Sequence, residues 1–107
     1  MPHKFFISLR QFTALFSLGN QMTFGALQAL AEEGVHVPED ISVLSFDEQP
    51  YFAFLATPIT TIAQQNETMG QIAVSLLLGQ MSDKAHKDAE GIMLTTTLIK
   101  RDSVRTL

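Results

Sequence analysis

The sequence contains no cysteine. This excludes a disulfide framework and thiolate chemistry, and it fits a reducing compartment. No apolar run approaches the ~18 residues that span a membrane. The opening stretch, "MPHKFFISLRQF", is interrupted by Ser8 and Arg10, too soon for a signal peptide. A soluble cytoplasmic protein is therefore expected, with no membrane partner. There is no long basic run, and the net charge is −4, so the chain as a whole is a poor binder of nucleic acid. His3, His36 and His86 are scattered without ligand spacing, so neither a metal nor a cofactor is expected. No Ser-His-Asp order, Gly-rich phosphate loop or paired-carboxylate site stands out. Asp47-Glu48 alone, with no positioned lysine or metal cluster, does not make an enzyme. Internal repeats and low-complexity segments are also absent.

What is present is a core-forming composition. Apolar residues make up 46% of the 107, enough for one domain or a piece of one. "TALFSL" (13–18) is short, apolar and stopped by Gly19-Asn20, and it reads as a buried strand. A helix follows over residues 20–33, capped by Asn20 or Gly19, with Met22, Ala26, Ala29, Leu30 and Glu33 on one face and Gly34 just past its end. Pro38-Glu39-Asp40 makes a turn. "ISVLSF" (41–46) is a continuous run, which suits a strand covered on both faces.

Strand, helix, strand predicts a βαβ unit with parallel strands. Both strand ends then lie on one edge, where open parallel sheets bind ligands. One end carries Gly19-Asn20-Gln21 and the other Asp47-Glu48-Gln49. "PYFAFLATP" reads as a short helix or loop, "ITTIAQ" (59–64) as a strand and "NETMGQIAVSLLLGQM" as a helix capped by Asn66, with Glu67 favoured at its positive end. That helix groups Met69, Ile72, Ala73, Leu76, Leu77 and Gln80 on one face. "SDKAHKDAEG" is a polar loop, and a Thr-rich final strand lies within 92–102.

Several strings occur in a fixed order: "F-x-x-x-N-x-M-x-x-G-A-L-x-A-L", "G-V-x-V-P-E-D-I-S-V", "F-D", "T-T-I-x-Q" and "M-G-x-x-A". Over residues 12–103 the chain resembles the C-terminal part of the lactose/galactose repressor family of bacterial transcription regulators. The resemblance implies an α/β fold: a parallel-sheet βαβ three-layer lobe, periplasmic-binding-protein-like (type I) and incomplete. Residues 12–107 would be the C-terminal part of a sensor domain. Within it, 12–65 form the C-terminal lobe, 66–82 a helix that joins the N-terminal lobe in relatives, and 92–102 the last strand. Residues 1–11 resemble none of the family's other parts and are expected to be a leader or foreign remnant. No helix-turn-helix is seen, so DNA would be reached only through an N-terminal domain of a longer parent.

The resemblance also implies a small-molecule effector, a sugar or derivative, contacted by Asp47 of the "F-D" motif. The other reading of Asp47 is a turn cap at a strand end. Gln21, Asn20, Gln49, Asn66 and Met69 are further candidates for ligand contact, since amides both donate to and accept from hydroxyls. Each can equally be a loop polar group, a helix cap or, for Met69, a core side chain. Where most of the family has Asn-Asp, this chain has Gly19-Asn20, so the usual ligand-reaching Asn is absent at 19. A second apolar stripe, Phe24, Leu27 and Ala31, is covered either by the same chain or by a partner subunit. The family favours the partner, making Phe24, Leu27, Gln28, Tyr51, Phe52, Phe54 and Leu55 interface candidates in a homo-oligomer. Two other functions stay open: a self-associating fragment without ligand function, and a sugar-binding protein of transport.

Overall fold

A computed structural model describes residues 12–82 and 91–107. The expected leader of residues 1–11, most of the expected polar loop, His3 and His86 lie outside the described residues. Strand β1 is Ala14–Ser17, helix α1 Asn20–Glu32 and strand β2 Ser42–Phe46. A 3-10 helix at Pro50–Phe54 leads to β3, Thr60–Ala63. Helix α2 is Asn66–Met81, and β4 is Thr97–Ile99. The chain divides into two compact units. One ends at Ala63 and resumes at Thr97; the other begins at Gln64.

The first unit holds a four-stranded sheet in the order β1-β2-β3-β4. β1, β2 and β3 run parallel, as the βαβ pattern predicts, with Ser17 level with Ser45 and Phe46 level with Ile62. β4 is antiparallel to β3, pairing Leu98 with Ile62, so the three parallel strands carry one antiparallel strand at the edge. β4 is also shorter than the expected strand. After Ile99 the backbone turns its hydrogen bonds elsewhere: the Arg101 N–H donates to the Thr60 hydroxyl and the Asp102 N–H to the Pro58 carbonyl.

Helix α1 begins after Gly19, whose carbonyl accepts both the Thr23 N–H and the Thr23 hydroxyl. It ends as Gly34 predicts. Gly34 has φ +72, and its N–H donates to the Ala31 carbonyl while that of Val35 reaches Leu30. This pair of bonds is the Schellman arrangement, and Val35 packs against the core that holds Leu30, the apolar contact that often accompanies the motif.

The buried face differs from the expected one. Thr23 and Leu30 are buried with Leu27 half-buried, while Met22 is 63% exposed. The helix turns so that the Thr23 hydroxyl meets that of Ser45 at 2.7 Å, a bond that a Met22-centred face would break. Leu30, Ile41 and Val43 form the core, with Leu15, Leu27, Ala29, Val35 and Val37 packed around them. Full burial contributes about 1.5–3 kcal/mol for each such aliphatic side chain.

β1 is not the buried strand expected. It is the sheet edge, and Phe16 remains half exposed. The paired rows Phe16–Leu44 and Phe46–Ile62–Leu98 lie on the sheet face opposite Val43, and Phe16 and Leu98 on it are exposed. Ser103, at 0% exposure, joins β2 to β3. Its hydroxyl donates to the Val43 carbonyl and accepts the Thr60 N–H, and its own carbonyl accepts the Val43 N–H.

In the second unit, Gln65 rather than Asn66 is the N-cap of α2, because its carbonyl takes the Met69 N–H. No residue of α2 is buried. Met69, Ile72, Ala73 and Leu76 do share a face, and they line a cavity of about 150 Å³ with Ile92 and Leu94. Among the described residues, no helix is long and apolar enough to cross a membrane.

Candidate functional site

The parallel register sets the carboxyl ends of β1 and β2 level. Asn20-Gln21 and Asp47 therefore stand on one edge of the sheet, as predicted. Asn20 is half-buried. Its Oδ1 accepts the Gln21 N–H at 2.9 Å, and its Nδ2 donates to the Tyr51 hydroxyl at 3.4 Å. Gln21 is exposed at the mouth of the edge. Asp47 follows directly on β2 with φ +96, a left-handed backbone uncommon for a residue other than glycine. Its N–H donates to the Ile62 carbonyl at 2.8 Å. Gln49 is half-buried and caps the 3-10 helix, its carbonyl accepting the Phe52 N–H.

Glu48 has a different role from Asp47. Its carboxylate takes a two-pronged ion pair from Arg101, with Nη2 to Oε2 at 2.6 Å and Nη1 to Oε1 at 3.0 Å. The Thr61 hydroxyl adds a bond to Oε1 at 2.7 Å. Arg101 Nη1 also donates to the Ile59 carbonyl. The Arg101 guanidinium holds the Glu48 carboxyl below its ordinary pKa, and the same pair raises that of Arg101. Paired bonds of this kind are strong and directional. Sequence reasoning did not find Arg101, Thr61 or Ser103. Arg101 lies 53 residues from Glu48, and no local pattern links them.

Asn66 and Met69 belong to the second unit, where both are exposed. The interface candidates separate. Phe24 stacks on Tyr51 at 5.0 Å between ring centres, and both touch Phe52 at 5.7 and 5.3 Å. Phe52 is fully buried within the unit, so it is a core residue and presents no surface to a partner. It is held by the aromatic pair above it and by the Ile59 N–H on its carbonyl. Leu27 is half-buried and packs on the core. Gln28 is exposed, and its amide donates to Glu32 at 3.3 Å. Leu55 is half-buried, and Phe54 stands 85% exposed beside it. Phe24, Leu27, Gln28, Ala31 and Leu55 line one open groove of about 820 Å³. His36 pairs with Asp40 at 3.3 Å. Among the described residues, no group of three His, Cys, Asp or Glu could hold a metal.

A parallel βαβ core with polar groups gathered at its strand ends is an α/β lobe of the periplasmic-binding-protein kind. The match to the periplasmic binding protein-like domain extends over residues 2–104. The chain belongs to that family, and it is similar to LacI-family regulators. The HTH-type transcriptional repressor PurR of Histophilus somni (strain 129Pt) is 39% identical over 95 residues, covering 89% of this chain and 28% of that protein. A LacI family transcriptional regulator from Enterococcus faecalis V583 with bound ribose has TM-score 0.80 at 36% identity, over 89% of this chain and 35% of that one. A dimeric Lac repressor with a C-terminal deletion has TM-score 0.72 at 34% identity, over 86% and 33%. The chain thus spans less than a third of the length of the curated PurR relative.

Proposed function

We propose that this chain is the effector-sensing and dimerisation part of a LacI-type transcription regulator in the bacterial cytoplasm, and that it is not an enzyme. The effector is a sugar-like small molecule. Asp47 accepts hydrogen bonds from its hydroxyls, and Asn20, Gln21 and Gln49 contribute from the same edge. The observation that carries this reading is the placement of Asp47 beside Asn20-Gln21 at level strand ends, where parallel sheets bind ligands. The ribose in the Enterococcus faecalis regulator supports the ligand class.

DNA is reached only through another domain of a longer protein, since the chain carries a net charge of −4. A second copy is held by Phe24, Leu27, Gln28, Tyr51, Phe54 and Leu55; that the similar Lac repressor is dimeric supports a two-copy assembly. The test is calorimetric titration with D-ribose of a full-length regulator carrying this segment, as wild type and as Asp47→Ala. Loss of a charge-assisted hydrogen bond of roughly 1.5–3 kcal/mol should weaken binding about tenfold to hundredfold, with the melting curve nearly unchanged. Equal affinity in both proteins would leave Asp47 as a turn residue only.

A further inference from the structure

We propose that Arg101 is a positioning residue for Asp47. Through Glu48 it locks the strand-end turn that carries the proposed ligand carboxylate. The inference rests on the effector reading of Asp47 for its functional meaning, and on the geometry of residues 47–48 and 101 for its substance.

A left-handed backbone at a residue with a Cβ persists only where the surroundings hold it. At Asp47, φ is +96. The holding contacts lie on both sides of the residue. Before it, Phe46 is in register with Ile62, and the Asp47 N–H continues that ladder to the Ile62 carbonyl. After it, Glu48 is gripped by both guanidinium nitrogens of Arg101 and by the Thr61 hydroxyl.

Arg101 is itself immobilised. One nitrogen bonds the Ile59 carbonyl, and its backbone N–H bonds the Thr60 hydroxyl. The tail beyond it is pinned through buried Ser103. The clamp therefore ties the Asp47 turn to the strand alongside it and to the end of the chain. A lysine could supply the charge at position 101 but not the planar fork that fixes Glu48 in orientation.

The experiment is amide hydrogen exchange by NMR on this chain, as wild type, Arg101→Gln and Arg101→Lys. The Leu30 amide in the core serves as the internal reference. In Arg101→Gln the Asp47 amide should exchange about tenfold faster, or more, relative to Leu30, and Arg101→Lys should fall between. Unchanged exchange at Asp47 overturns the proposal. So does acceleration of Asp47 and Leu30 by the same factor, which would mean that Arg101 stabilises the unit without positioning the turn. If Arg101→Gln does not fold, Thr61→Val takes its place. It removes one bond to Glu48 and should speed Asp47 exchange selectively by a few-fold; no selective change there overturns the proposal equally. D-Ribose added in excess to the wild type reads the effector assignment separately, through the Asp47 amide shift. Silence in that arm counts against Asp47 as a ligand group, while the exchange ratio still decides the clamp.

Discussion

Asp47 and Glu48 are neighbours in sequence, but the fold gives them opposite environments. Asp47 follows a strand at the candidate edge, and Glu48 turns to Arg101. The Glu48 carboxyl is held below its ordinary pKa chiefly by the hydrogen bonds from Arg101, against the opposing effect of burial. A carboxyl depressed in the folded state contributes stability at pH values above its unfolded pKa of about 4.3 and loses it as pH falls through the lower folded value. The melting temperature should therefore decline on acidification below about pH 4.3. Glu48→Gln should flatten that acid limb while lowering stability near neutrality. Parallel acid limbs in thermal melts of the two proteins would contradict this. Asp47 was legible in the sequence because an apolar run stops there. The Glu48 partner was not, because the pairing closes a loop of 53 residues.

At the scale of elements, the caps were read more surely than the faces. Gly34 marks the end of α1 because only a residue without Cβ takes φ +72 at low cost. A Cβ at Gly34 would meet nothing within 4 Å, so the penalty for Gly34→Ala is conformational, about 1–2 kcal/mol. For a domain of this size each kcal/mol lowers the melting temperature by about 4–8 °C. Gly34→Asn, which tolerates the left-handed region better, should lose less. Calorimetric melts of the three proteins check the order, and Gly34→Ala melting with the wild type would refute it. The buried face of α1 was misjudged because Thr23 looks polar in sequence. Its hydroxyl is satisfied by Ser45 and by the Gly19 carbonyl, so it can sit at 0% exposure.

Across the whole molecule, much apolar surface is left uncovered. α2 buries no residue, and Val74, Leu77, Leu78 and Met81 are all exposed along it. Phe54 projects beside a groove lined by Phe24, Leu27 and Leu55. Exposed apolar surface of this extent marks an interaction site. The chain should therefore associate, with a light-scattering mass above its 11.8 kDa at micromolar concentration. Phe54→Ser should lower that mass towards the monomer. A clean monomer of the unaltered chain would refute the prediction.

Local chemistry alone determined the order β-α-β, the parallel pairing of its strands, the glycine stop at 34 and the strand-end edge shared by Asn20, Gln21 and Asp47. Each of these depends on residues close in the chain: a continuous apolar run, a helical period, a cap. Only the tertiary structure decided that β1 is an exposed edge, that β4 pairs antiparallel, that Phe52 is core, and that Arg101 and Ser103 join the chain's end to β2 and β3. Those outcomes depend on which distant groups satisfy one another's hydrogen bonds and exclude water. Phe52 shows the difference. In "PYFAF" it is one aromatic among others, and its burial follows only once Phe24, Tyr51 and Ile59 close around it.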